Sequence, residues 1–471
     1  MIDGLEISEV YFSKIKHDQN ERFDSHYYEK KYILLKQTLL AKPHWLLGDI
    51  VLKPIQTGHT PSMSNSLFYG GEIAFIKTDN LRVNSITTNF SNYLSNEGNQ
   101  EISRTELKEK DIITTIIGAT EDVIARTALV LPEHLPANIN QNIVQIRVNE
   151  TIVFAEYVNA YLNSRYGRDY LRYLSRQTEQ VNLNCQEVSS VIVPKFSTEF
   201  QGVIRDCISK AYYLQRCSKE NYLFADRMLE EGLGINQSSN DNISIKTFSE
   251  SFNISGRLDA EYYQPKYEQY EEIIKNNKLG FTIIKKEFDL ITKKCDRSLE
   301  QYPYIEIGDI NVSTGVATSN IIMTEALPDN AKIMTKVNDV LVSTVRPNRG
   351  AVSILEEDDL LVSGAFTVLR EKGNYPKEVL LVILRSELYR DWLLKYNVGT
   401  SYPVIKDDDI LNLPLPILDE ILNKEISDKV QESFRLRKES KKLLDIAVKA
   451  VEMAIETDEE TAIAWLKEQG V

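Results

Sequence analysis

The sequence predicts a duplicated α/β (α+β) chain: two mixed α/β domains separated by a long antiparallel two-helix coiled coil, with an approximate two-fold axis. Three observations point there. The phrase Arg22-Phe23-Asp24-Ser25-His26-Tyr27-Tyr28 returns as Arg257-Leu258-Asp259-Ala260-Glu261-Tyr262-Tyr263. Further anchors follow in the same order in both places: Phe75 to Asn80 is answered by Tyr304 to Asp309, and Lys110 to Thr115 by Asn338 to Ser343. Arg168-Asp169-Tyr170-Leu171 is answered by Arg390-Asp391-Trp392-Leu393, and Ile192-Val193-Pro194 by Pro414-Leu415-Pro416. Each copy then ends in a stretch of heptad-spaced apolar residues. The separation of the copies far exceeds the period of about 20–50 residues at which solenoid units stack, so a whole domain is duplicated.

The first copy, 1–198, has β-branched or alternating runs bounded by turn residues at Ile73 to Ile76, Asp111 to Ile117 and Ile143 to Val148, which read as strands. Phe154 to Ser175 has apolar residues at spacings of three and four and reads as a helix. A long helix is expected over 199–235, where Ile204, Cys207, Ala211, Leu214, Ser218, Asn221, Ala225 and Met228 form a heptad seam. Gly232 stops it, and polar turn formers up to Ser244 open a linker, 236–250. The second copy, 251–417, repeats the pattern with strands at Tyr304 to Ile307, Val340 to Val345 and Ala365 to Leu369 and a helix from Pro376 to Lys395. The last segment, 418–471, carries Ile426, Val430, Phe434, Leu444, Val448, Val451 and Ile455 on one stripe. Pairing the two long helices buries both stripes, and the chain path makes that pair antiparallel, with a globular domain at each end. The seam is expected to join Ile204, Ala211, Leu214 and Met228 to Ile426, Val430, Leu444, Val448, Val451 and Ile455.

At 471 residues and 42% hydrophobic content the chain supports two or three ordinary cores. No apolar run approaches the roughly 18 residues that span a bilayer, and the opening MIDGLEISEV is acidic, unlike a secretory leader; a cytoplasmic chain with no membrane partner is expected. Cys185, Cys207, Cys217 and Cys295 have no C-x-x-C spacing and the histidines no zinc spacing, so neither a metal site nor a disulfide framework is indicated. A net charge of −14 argues against a chain that coats nucleic acid alone, since phosphate attraction needs a basic surface. Local basic faces, or a basic partner, remain open.

Gly58-His59-Thr60-Pro61-Ser62 stands ahead of a Phe-Tyr-Gly-Gly stretch, followed by Ile73 to Leu81, Leu107 to Gly118 and Asn138 to Ile146. The second copy gives Tyr304 to Ile310, Val337 to Gly350 and Val398 to Pro416. In this order, twice over and across nearly the whole chain, the pattern resembles the specificity subunit of type I restriction-modification systems. The resemblance implies two target-recognition domains, each reading one half of a bipartite double-stranded DNA site, and two conserved spacer helices that set the spacing. A helix of about 32 residues is roughly 48 Å long, the rise of about 14 base pairs. The resemblance also implies two modification (methyltransferase) subunits as partners, motor-nuclease restriction subunits in the full complex, and a role in phage defence in the prokaryotic cytoplasm. S-adenosylmethionine is then expected in the partners and no cofactor in this chain. The second copy lacks Thr-Pro-Ser, having Lys293 to Ser298 instead, and Arg176-Gln177-Thr178 faces Gly399-Thr400-Ser401. Such differences suit an asymmetric target.

Arg165, Arg168, Arg172 and Arg176 fall at spacings of three and four, which would line four guanidinium groups along one helix face. Phosphates would compensate them, and arginine also binds guanine O6 and N7 bidentately; a solvated face with Asp169 and Glu179 as partners is the alternative. Gln177, Thr178, Gln180 and Asn182 form an amide-rich loop suited to adenine, or an ordinary turn. Its counterpart offers Thr400, Ser401 and Tyr402. His59, Thr60, Ser62, Lys77, Thr78 and Asn80 are further candidates, as are Arg346, Asn348 and Arg349 around Pro347. The cluster Asn138, Asn140, Gln141 and Asn142 reads as turn-making, and Tyr166, Tyr170 and Tyr173 as core.

No catalytic residue is assigned. A methyltransferase acting on a base needs a flipped-base pocket and a glycine-rich cofactor loop. The chain has no Pro-Pro pair, and its Gly232-Leu233-Gly234 follows a helix rather than a strand. There is no G-x-x-x-x-G-K-[ST] loop either. Two functional classes stay open at this point: a non-catalytic specificity subunit, or a duplicated scaffold that binds proteins without DNA specificity.

Overall fold

The structure, a computed structural model, describes residues 11–12, 22–88, 90–118, 120, 123–176, 181–234, 243–399 and 401–471. It divides into two compact units, Met1–Gln215 with Lys438–Val471, and Arg216–Arg437. Each unit contains one copy of the α/β domain and half of each long helix.

In unit one, a four-stranded antiparallel sheet runs in the order Gln56–Thr57, Ile143–Ile146, Ile112–Thr115, Thr127–Leu129. Ile143 stands opposite Thr115 and Ile146 opposite Ile112. The β-branched residues of Ile112–Thr115 are all buried, and Thr114 and Thr127 bond hydroxyl to hydroxyl at 2.9 Å inside the sheet. A second sheet has Tyr69–Ile76 at its centre, parallel to Ala137–Ile139 and antiparallel to Tyr93–Leu94. The sequence reading of one helix from Phe154 to Ser175 is corrected: there are two, Ala155–Asn163 and Arg165–Leu174. Ser164 breaks them with an extended backbone (ψ 160°), and its hydroxyl caps the second helix by accepting from the Gly167 amide at 3.2 Å.

Unit two repeats this scheme. Its four-stranded sheet runs Phe288–Leu290, Phe366–Glu371, Val340–Ser343, Val352–Ile354, and its second sheet has Gln301–Ile305 parallel to Leu361–Ser363 and antiparallel to Asn320–Met323. Again Pro376 to Lys395 is not one helix: Ser386 separates Lys377–Arg385 from Glu387–Trp392 and caps the latter through the Tyr389 amide.

The duplication extends to individual bonds. Tyr28 donates its hydroxyl to the Arg22 carbonyl at 2.9 Å, and Tyr263 does the same to Arg257 at 3.1 Å. Asp111 and Asp339 are buried, and each accepts a two-pronged arginine, Arg147 at 2.6 and 2.7 Å and Arg370 at 2.7 and 2.7 Å. Each also accepts a backbone amide at 2.8 Å, from Lys108 and Lys336. Such pairs hold in the interior because several charge-assisted bonds replace the hydration lost on burial. The acceptors sometimes persist while the donors change place: the Pro194 carbonyl is bonded by Tyr157, and its counterpart Pro416 by Tyr375 from a different point in the chain.

The long helices are Thr198–Leu233 and Glu420–Glu456. Within unit one their halves run antiparallel: the Ser197 amide bonds Glu459 at 2.9 Å and the Cys207 thiol the Leu443 carbonyl at 3.4 Å. Within unit two, Ser218 meets Ser433 and Asn221 meets Lys429. Ile204, Ala211, Ile426, Val430, Val451 and Ile455 are buried as the heptad reading expects. Leu214, Met228 and Leu444 are half-buried against their unit's core. Val448 is a correction: it is half-buried, and Ala447 beside it is fully buried. The seam of the second helix passes through Ser433, Ser440 and Ala447, small residues that let the backbones approach. A final helix, Glu459–Glu468, follows with Asp458 as its cap. No helix among the described residues is long and apolar enough to cross a membrane.

Candidate nucleic-acid interface

In unit one, backbone hydrogen bonds stitch five loops into one rim at an end of the four-stranded sheet. The Asn140 amide bonds the Ile76 carbonyl, next to Lys77, at 3.2 Å, and the Gly58 amide bonds Ile143 at 3.1 Å. Ile116 bonds Asn142 at 2.9 Å, Leu183 bonds Ile116 at 2.8 Å, and Arg176 and Asn182 exchange bonds at 2.8 and 3.2 Å. Gly58 is required there: a Cβ would overlap the carbonyl oxygens of Ile139 and Asn140. That close approach projects His59, Thr60 and Ser62 outward. His59 and Ser62 are exposed; Thr60 donates to the Gln141 side chain, and Ser62 bonds Ser64 at 2.8 Å.

The rim gathers His59, Thr60, Ser62, Lys77, Thr78, Arg176 and Asn182. Thr78 is half-buried, and its hydroxyl is turned inward, without a hydrogen-bond partner among the described residues. Arg176 is exposed, with Nε 3.0 Å from the buried Glu187 carboxylate, which fixes Arg176 beside Asn182. Gln177, Thr178 and Gln180 lie outside the described residues, as does Thr400. Asn80 is a correction: it is buried, its side-chain oxygen accepts the Lys77 amide at 3.0 Å, and its amide faces Thr87. It shapes the turn and faces no solvent.

The arginine face is also corrected. Arg176 lies past the end of the helix, in extended backbone. Arg165 is held by Glu452, which accepts its amide at 2.7 Å, and by the Glu456 carboxylate, so it serves the packing of the second long helix within unit one. Arg168 and Arg172 are half-buried, Arg172 standing 3.5 Å from Asp169. Tyr170 and Tyr173 are core. Of the amide cluster, Asn138 is fully buried and bonded to Asn99, Ile102 and Thr105, whereas Gln141 is exposed on the rim, where sequence reasoning assigned only a turn.

Unit two builds its rim from the corresponding loops. The Ile405 amide bonds Thr344 at 2.9 Å and the Arg346 amide bonds Pro403 at 2.7 Å, bringing the Pro347–Arg349 turn beside Ser401 and Tyr402. Arg346, Asn348, Arg349, Ser401 and Tyr402 are all exposed. Arg346 has φ 51°, a left-handed conformation costly for a residue with a Cβ, and its guanidinium lies 5.4 Å from the centre of the Tyr402 ring. Neither feature is visible in the sequence.

The two rims carry charge in different places. The turn with Lys77 and Asn80 in unit one has Glu306 and Asp309 in unit two, where a phosphate would be repelled. Conversely, the loop with Arg346 and Arg349 corresponds to a sequence stretch containing Glu121 and Asp122. Among the described residues no group of three His, Cys, Asp or Glu side chains could hold a metal ion.

No family model matches the chain, and none of the curated proteins does. Solved structures do. One is a type I restriction-modification system S subunit from M. genitalium, 11% identical, with 86% of this chain and 94% of that one covered and a TM-score of 0.42. Another is the HsdS subunit from Thermoanaerobacter tengcongensis, 16% identical, with 88% and 96% covered and a TM-score of 0.30. A third comes from work on complex assembly and conformational transition of the type I R-M system, 15% identical, with 89% and 96% covered and a TM-score of 0.28. Over most of its length, the chain is therefore similar to S subunits of type I restriction-modification systems.

Proposed function

We propose that this chain is a non-catalytic DNA sequence-specificity subunit of a type I restriction-modification complex. Each unit reads one half of a bipartite, asymmetric site in double-stranded DNA. The paired helices set the unread gap and dock two methyltransferase subunits, which bring S-adenosylmethionine and the chemistry. The observation that carries this reading is a duplicated scaffold with divergent rims. Buried bonds such as Asp111 with Arg147 and Asp339 with Arg370 are kept, while the exposed loops at the same sheet end exchange charge and side-chain type. A framework repeated for stability with changed loops is what two different half-sites require, because base edges are told apart by the donors and acceptors presented to them.

The test is duplex binding by the full chain, with co-expressed methyltransferase subunits, against a duplex bearing the split motif methylated in the source genome. Binding to that duplex and rejection of one with either half scrambled is the expected result. Equal binding to all duplexes, or to none, returns the chain to the class of protein-binding scaffolds.

A further inference from the structure

The phrase repeated near the start of each copy grips the same backbone atom in both units. In unit one Arg22 is buried and fixed by Asp24, which accepts from its Nε at 2.7 Å and its Nη2 at 2.8 Å. So held, the guanidinium donates to the carbonyls of Leu174 at 2.7 Å and Ser175 at 2.8 Å. These stand at the end of the helix Arg165–Leu174, where the last carbonyls lack partners within the helix and a positive charge meets the negative end of its dipole. In unit two Asp259 accepts from Nε and Nη2 of Arg257 at 2.7 Å each, and Nη2 also donates to the Asn397 carbonyl at 2.9 Å. Alignment of Arg168 with Arg390 sets Ser175 opposite Asn397. The two arginines therefore hold equivalent carbonyls with the same nitrogen.

The residue after each gripped carbonyl enters the rim. Arg176 exchanges backbone bonds with Asn182, and the Val398 amide bonds the carbonyl of Val404, the counterpart of Asn182, at 2.9 Å. In unit two Asn397 also closes the loop with its side chain, whose Oδ1 accepts the amides of Gly399 at 2.7 Å and Val404 at 3.0 Å. Arg22 and Arg257 reach the rim segment only through backbone carbonyls, so their grip imposes nothing on the side chains that follow. Those side chains do differ: Arg176 and Asn182 stand where unit two has Val398 and Val404, and Ser401 and Tyr402 are exposed on the unit-two loop.

We infer that Arg22 and Arg257 are positioning residues for half-site discrimination: each, locked by its aspartate, fixes the point from which its own unit's rim loop departs. This rests on the DNA-reading function proposed above. A reading side chain needs its place held to within about 0.5 Å by the shell behind it, and a loop whose root is released loses that precision. Each arginine acts within its own unit, so each governs one half-site and not the other.

The experiment measures binding by the full chain, with co-expressed methyltransferase subunits, to the duplex bearing the methylated split motif and to duplexes with either half scrambled. The variants are R22Q, R257Q and R257K, with Tm recorded for each. The expected result is that R257Q lowers discrimination at one half-site about tenfold and leaves the other as in the wild type, while R22Q does the reverse. R257K, which keeps a charged donor for the Asn397 carbonyl, recovers part of the loss. Should a glutamine variant fail to fold, D24N and D259N, which keep the arginine and weaken its lock, show the same split at about threefold. Folded variants that keep wild-type discrimination at both halves, or lose it equally at both, overturn the positioning role alone. A wild type that does not discriminate overturns the proposed function and this role with it.

Discussion

Ser218 and Ser433 hold each other across the helix pair of unit two by reciprocal hydrogen bonds. Each hydroxyl reaches the other residue's carbonyl, at 2.7 and 2.8 Å, and the two oxygens are 3.0 Å apart. Both are buried in a seam otherwise lined by Ala225, Leu229, Ile426 and Val430. A polar pair in an apolar seam favours one register, because a shift by one heptad leaves both hydroxyls unmatched. Ser433→Ala is expected to lower stability by about 1–2 kcal/mol, read by denaturant unfolding. Ser218→Ala/Ser433→Ala should cost slightly less than the sum of the single changes, since the hydroxyl–hydroxyl contact is lost in either one, while each remaining hydroxyl keeps the backbone carbonyl to which it donates. Strictly additive losses would show that the two do not act as a pair.

Arg346 offers a separation of stability from binding. Arg346→Gly relieves the left-handed strain but loses the contact with Tyr402 and loosens the unfolded chain. These effects offset, and stability should change by less than about 0.5 kcal/mol. Affinity for a duplex carrying the second half-site should fall about tenfold, or 1.4 kcal/mol, as measured by titration. Unchanged affinity would remove the turn from the interface.

What the sequence made legible was the repetition, and through it the two cores, because residues such as Asp111 and Asp339 hold equivalent buried places. The heptad spacing located both long helices but favoured bulky Val448 over Ala447, since a seam that brings backbones close takes small residues. Local spacing could not show that Ser164 and Ser386 would cap new helices instead of continuing old ones. The rim was only half legible. Exposed turn residues such as His59 and Asn348 stand where expected, but Asn80 is turned inward by its own turn, through Lys77 and Thr87, and Asn138 by partners distant in the chain, and amide composition carries no sign of either.

Gly58 ties the first rim to its sheet. In Gly58→Ala the new methyl collides with the Ile139 and Asn140 carbonyl oxygens, which belong to backbone and cannot swing away. The loop from His59 to Ser62 must shift. Binding to a duplex with an intact first half-site should weaken by about tenfold or more, while discrimination at the second half-site persists. Equal loss of discrimination at both halves would contradict independent reading by the units.

Asp226 gives a pH-dependent outcome. Burial first, then Glu230, raises its carboxyl above the usual range, against the lowering influence of Arg385 and Arg390. Its ionised form therefore opposes folding at neutral pH, and the penalty fades as the pH falls through the raised value. Asp226→Asn should raise Tm by about 1–2 °C at pH 7, with the difference from the wild type closing toward about pH 4. A gain that is constant with pH would assign it to packing and not to charge.

The helix pair as a ruler makes a length prediction. Seven residues of helix rise about 10.5 Å, close to three base pairs. Deleting one heptad from each of Thr198–Leu233 and Glu420–Glu456 preserves the antiparallel pairing only if the two cuts are matched across the seam, for instance around Ala211 and around Ser440. The shortened chain should direct methylation to the same two half-sites with a gap smaller by about three base pairs. Methylation mapped across a genome shows both half-sites and the gap together, and a gap unchanged by the paired deletion would refute the ruler while leaving the two readers intact.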